Sequence, residues 1–169
     1  MSTDSPVPYG TVRTSGEAHT IRFELRLAHP LESAWAAVAT PGGLRGWLAA
    51  ADPFEPGPGG AVTLRWLNGG VTAPGRITAW QKRRLAEYAV DVHGVFGFAL
   101  RPVDDGAGTR LSLSNDFTGD GEATLDQLAG WHHHLELLCE ELEGHPTDWT
   151  SWTPDRFAAL RGAYAGAGH

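Results

Sequence analysis

From Thr20 to Leu27 the chain alternates: Ile21, Phe23, Leu25 and Leu27 fall on one side, Arg22, Glu24 and Arg26 on the other. A period of two predicts a half-buried strand. His29-Pro30 ends it, and proline suits the opening of a helix because its missing N–H would have no partner there. Leu31, Ala34, Trp35 and Val38 then recur at helical spacing, Pro41-Gly42-Gly43 breaks the pattern, and Leu44 to Leu48 makes a second short helical piece. Residues 52–60 (DPFEPGPGG) read as a loop.

Strands return after that loop. Val62, Leu64 and Trp66 alternate up to Asn68-Gly69-Gly70, a hairpin signal. Gly75 to Trp80 forms the next strand, with Pro74 predicting an edge or a bulge at its start. Ala86, Tyr88, Val90 and Val92 share one face of a third, and Phe96, Phe98 and Leu100 one face of a fourth. After a turn at Asp104–Gly108, Leu111, Leu113 and Phe117 alternate in the last strand, with Asn115 on their side.

From about Glu122 to Glu143 the period becomes 3.6, with either Asp120 or a Thr124/Gln127 capping box at its start. Leu125, Leu128, Trp131, His132, Leu135, Leu138, Cys139 and Leu142 fall on one broad face; Asp126, His133, Glu136, Glu140 and Glu143 oppose it. Thr153-Pro154 opens a final helix carrying Phe157, Leu160 and Tyr164. Consecutive antiparallel strands followed by one long amphipathic helix define an α+β layout, a curved sheet with its apolar face on the helix. Residues 1–18, with Pro6, Pro8, Gly10 and Gly16 and little apolar pattern, read as a loose arm; 19–169 form one domain.

Composition narrows the function. At 169 residues with 41% hydrophobic and 20% charged residues, the chain can bury a core without a staple, and its one cysteine forms no internal bridge. There is neither an apolar run of membrane-spanning length nor a secretory pattern at Met1–Pro8, so the cytoplasm is the expected compartment and no membrane partner is expected. The net charge of -7 argues against nucleic acid. It is unevenly spread: Leu111 to Asp155 holds ten acids and no Lys or Arg, so the rest sums to +3 (13 bases against 10 acids). A solvated helix face accounts for this stretch; a basic protein partner is the sharper reading.

The order of motifs resembles a known superfamily. His29-Pro30-Leu31-Glu32, Trp35, Pro41, Leu44 and Trp47 resemble the helix pair of the START/Bet v 1-like (SRPBCC) helix-grip proteins, and more narrowly the group named after the activator of Hsp90 ATPase. Gly59-Gly60, Gly75, Ile77, Arg84-Leu85, Glu87-Tyr88 and Gly108-Thr109-Arg110-Leu111 with Leu113 fall at that group's strand positions in order. Gly130-Trp131, Leu135 and Leu138 match its long helix; Trp152 and Tyr164 match its tail. The resemblance implies a sheet wrapped around the long helix with a cavity between them, in a fold that serves carriers, cyclases, co-chaperones and resistance proteins. Asn115 departs from the pattern, standing where relatives often have histidine.

Within such a cavity the expected ligand-binding side chains are Trp35, Trp47, Leu64, Trp66, Ile77, Tyr88, Val90, Phe96, Phe98, Leu113, Asn115, Leu128, Trp131, His132 and Leu135: aromatic and aliphatic walls with three polar groups. His132-His133-His134 is no metal motif, because neighbours on a helix point about 100° apart and cannot converge on one ion. His133 belongs to the outer face, His134 to the boundary, and His132 points inward as a polar anchor or a satisfied core histidine. No nucleophile motif or phosphate loop is present. No catalytic residue, metal or cofactor is therefore expected, unless His132 serves as general acid–base in a cyclase. The leading expectation is binding of a hydrophobic or polyaromatic small molecule, by a monomer or dimer. Twelve arginines to one lysine, with abundant Ala and Gly, resemble GC-rich actinobacterial usage, which points to natural products, carried or sequestered for self-resistance. Co-chaperone-like contact through the acidic stretch is the alternative.

Overall fold

The computed structural model describes residues 6–167. Eight strands form one antiparallel sheet: β1 (Thr11–Ser15), β2 (Ala18–Leu27), β3 (Ala49–Phe54), β4 (Ala61–Trp66), β5 (Thr72–Gln81), β6 (Leu85–Val90), β7 (Gly94–Val103) and β8 (Gly108–Thr118), in the order β1-β2-β8-β7-β6-β5-β4-β3. The connection from β2 to β3, carrying α1 (Leu31–Ala39) and α2 (Pro41–Arg45), crosses from one end of the sheet to the other. The long helix α3 (Gly121–Leu142) follows β8, and α4 (Asp155–Gly166) packs on α3. This is the α+β helix-grip architecture.

Alternation decides the faces as expected. Ile21, Phe23, Leu25 and Leu27 of β2 are buried, as are Leu111, Leu113, Asn115 and Phe117 of β8, while Arg22, Glu24 and Arg26 face out. Asp120 caps α3, accepting from the Ala123 N–H at 2.9 Å; the capping box is not formed, and the Thr124 hydroxyl donates to the Asp120 carbonyl instead. Among the described residues no helix is long and apolar enough to cross a membrane. Cys139 packs half-buried against the core, its thiol pushed up to about 11 by burial and by Glu136, Glu140 and Glu143.

Several local expectations are corrected. The arm is ordered well before residue 18: β1 pairs with β2 from Thr11↔Arg22 to Ser15↔Ala18, and Val7 is buried; its first five residues lie outside those described. The second short helix is Pro41–Arg45, not Leu44–Leu48, because the Thr40 hydroxyl accepts from the Gly43 N–H and starts the helix at the proline. Only glycine fits at 43, since a Cβ would lie 1.9 Å from the Ala36 carbonyl oxygen. Part of the expected 52–60 loop belongs to β3, whose pairing with β4 shifts register between Ala51 and Phe54. Pro74 lies inside β5 opposite Thr63 of β4, just before the ladder with β6 begins at Gly75, and the bulge falls further on, between Ile77 and Ala79.

The largest correction concerns the outer face of α3. Rather than facing solvent it is partly covered by α4, whose arginines answer the acidic stretch. Arg156 binds Glu136 through two bonds of 2.9 and 2.6 Å, and Arg161 binds both Asp126 and Glu122. His133, expected outside, is buried and accepts the Trp152 indole N–H on Nε2 at 2.8 Å.

Candidate functional site

A pocket of about 200 Å³ opens where two hairpin ends meet α3. The β4–β5 turn contributes Asn68, Gly69 and Val71 beside Trp66; the β6–β7 turn contributes His93; α3 contributes Gln127, Gly130, Trp131 and His134; Leu48 completes the wall. None of these side chains carries a fixed charge. The β4–β5 turn is held by Gly70, at φ +77°, whose N–H donates to the Trp66 carbonyl at 2.7 Å. In the β6–β7 turn, Gly94 has φ +76° and runs so close to β8 that a Cβ would sit 2.1 Å from the Asp116 carbonyl oxygen.

Three buried polar atoms of this lining, Trp66 Nε1, His93 Nε2 and His134 Nε2, have no hydrogen-bond partner among the described residues. Their roles follow from their neighbours. His134 Nδ1 lies 2.8 Å from the Gly130 carbonyl, which can only accept, so Nδ1 carries the proton and Nε2 presents a lone pair. Burial holds the His134 imidazole down at about 4; the Gly130 bond works against this, and His133 and His93 add to it. Burial lowers His93 as well. The Trp66 indole can only donate. Its ring meets His93 at 4.7 Å and His134 at 6.2 Å, both edge-on, and Trp149 lies 6.4 Å beyond His134. An apolar pocket with one fixed donor and one fixed acceptor, both desolvated, fits a neutral molecule bearing both kinds of group.

Of the residues expected from sequence, Trp66 and Trp131 line this pocket. Asn115 stands one step behind it: its Nδ2 donates to the carbonyls of His93 and Val95 at 2.9 and 3.1 Å, and its Oδ1 accepts the Trp131 indole N–H at 3.0 Å. It therefore positions two pocket residues without lining the space. Trp47, Leu64, Ile77, Tyr88, Val90, Phe96, Phe98, Leu113, Leu128 and Leu135 pack in the core. There the Tyr88 hydroxyl donates to the Val38 carbonyl at 2.8 Å, and Trp47 donates to Ala37. Trp35 packs edge-on against Trp80 at 5.0 Å.

His132 does not line the pocket. It packs between Phe23, Tyr9 and Tyr164, with Nδ1 2.7 Å from the Tyr164 hydroxyl. The same hydroxyl accepts the Gly10 N–H at 2.9 Å, and His132 Nε2 lies 3.8 Å from Glu136. Burial lowers this imidazole, against the opposing pull of Glu136. The arrangement clamps the N-terminal segment and α4 to α3. Among the described residues, no three His, Cys, Asp or Glu side chains gather as a metal site requires.

By sequence, neither a protein-family model nor a curated protein matches the chain. Solved structures do match by shape. A conserved protein of unknown function from Enterococcus faecalis superposes with a TM-score of 0.73 at 15% identity, covering 94% of this chain and 89% of that one. CalU16 from Micromonospora echinospora gives 0.66 at 20%, covering 98% of both. DynU16, from the dynemicin biosynthetic locus, gives 0.64 at 19% over 75% of this chain and 48% of its own. At these identities the likeness establishes the helix-grip fold and nothing narrower.

Proposed function

We propose that the protein binds a small, neutral, largely planar molecule in the pocket between the hairpin ends and α3. The observation that carries this reading is that three residues lining one uncharged, aromatic-walled space, Trp66, His93 and His134, each keep a buried polar atom without a hydrogen-bond partner among the described residues. Buried polar groups are normally satisfied, so a cluster left open in one pocket is best explained by a ligand that satisfies it. At about 200 Å³ the space is below the ~300–1,000 Å³ of drug-sized sites, so it takes a small ring system or one end of a larger molecule. Binding near micromolar or weaker follows from so small a contact. The folds of CalU16 and DynU16, and the biosynthetic locus of the latter, make aromatic natural products the first panel to test, with carriage or sequestration as the role.

Titration of such a panel, read by tryptophan fluorescence and calorimetry, should give saturable binding for at least one class. Trp66→Phe keeps the wall but removes the donor, and should weaken it roughly tenfold, as the loss of one buried hydrogen bond predicts. No saturable response across the panel would overturn the proposal.

A further inference from the structure

On the opposite, outward face of the sheet, three arginines stand in one line across neighbouring strands: Arg26 pairs with Arg110, and Arg110 with Arg101. Residues directly opposite in an antiparallel pair share a face, and like charges so placed destabilise the sheet. Arg26 is answered by Asp104. Arg110 has only a 4.0 Å approach from Glu24, and its Nε is buried without a hydrogen-bond partner among the described residues. Arg101 and Arg84 make no ion pair among the described residues. Arg84, Arg101 and Arg110, with Gln81 and Ser112, surround a hollow of about 400 Å³ beside the small Ala99. A cluster of under-neutralised guanidinium groups is conspicuous on a chain of net charge -7.

We propose that this hollow is a binding site for the phosphate group of a small molecule. A guanidinium presents a planar fork of donors suited to paired oxygens. Three of them exceed what one carboxylate, with two oxygens and a single charge, can answer. A phosphate monoester carries about -1.5 to -2 at neutral pH and three acceptor oxygens, which matches the arginine set. Gln81 adds a neutral donor, the Ser112 hydroxyl being engaged by Glu24 at 3.3 Å, and the concave form favours a small ligand over a flat macromolecular surface. The site is separate from the pocket on α3, and neither depends on the other.

The test is a titration of the ¹⁵N-labelled full chain with inorganic phosphate and with phenyl phosphate, at ionic strength matched by sodium chloride, following arginine Nε–H signals. Saturable shifts of Arg84, Arg101 and Arg110, absent with chloride, are expected. Tighter binding of phenyl phosphate identifies an ester as the ligand, and equal binding identifies free phosphate. Arg101→Gln should weaken binding roughly tenfold. Arg101→Lys, which keeps the charge and loses the fork, should fall between, and it preserves the test should the glutamine variant misfold. Trp66→Phe should bind phosphate unchanged. Absence of saturable shifts, or poly-glutamate competing as well as phosphate, would overturn the proposal.

Discussion

Replacing His134 with asparagine should flatten the acid side of the protein's stability profile. The native imidazole is buried and donates from Nδ1 to Gly130, and it stays neutral down to about pH 4. In the unfolded chain it titrates at its ordinary value, near 6.5. Above that value it is neutral in both states and adds no pH dependence. Between the two values the unfolded chain binds a proton that the native state refuses, so stability falls as the pH falls. At about 1.4 kcal/mol per pH unit, the interval from 6.5 to about 4 removes about 3 kcal/mol. Asparagine retains a side-chain N–H for the Gly130 carbonyl and does not titrate. Urea unfolding of both proteins from about pH 7 to pH 4 measures the difference directly. His93 and His132 are lowered in the same direction, but they are common to both chains and cancel in the comparison. Stability curves that run parallel through this interval would refute the argument, because His134 would then gain its proton as easily folded as unfolded.

Two further substitutions separate architecture from binding. Tyr164→Phe strips the partner from both the Gly10 N–H and His132 Nδ1, so it should cost about 2–4 kcal/mol and speed hydrogen exchange in β1. Tyr88→Phe removes only the bond to Val38; calorimetric unfolding should show a loss of about 1 kcal/mol, with ligand affinity unchanged.

Much of the fold is legible because two periodicities carry it: the period of two in β2 and β8 and the 3.6 repeat of α3 name the faces of the sheet and the helix. What periodicity cannot show is how many sides of a helix are covered. His133 and Glu136 project away from the sheet side, as the helical wheel requires, yet Trp152, and Arg156 of α4, cover them with groups from further along the chain. β3 was hidden for a different reason. Asp52 and Pro53 look like turn residues, and pairing with β4 through a register shift overrides that local chemistry. The pocket was half legible. Trp66 and Trp131 stand out by residue type, whereas His93 comes from a turn with no repeating pattern, and His134 reads as a boundary residue until the β4–β5 hairpin is folded onto it. Asn115 was found for its inward direction, and its part is to hold other residues in place. Val71 at the pocket rim and Val92 beside His93, apolar residues left exposed at two turns, are the local signals that could have pointed to this end of the sheet.

The bond between Gly10 and Tyr164 joins residues 154 positions apart. Closing so long a loop costs entropy that nearby contacts do not, and the cost is repaid only after the intervening sheet and α3 have formed. The segment at Gly10 and α4, near opposite ends of the chain, are thus expected to dock late and together. In reverse they form one unit of partial unfolding, able to open while the strands that carry Trp66 and His93 stay paired.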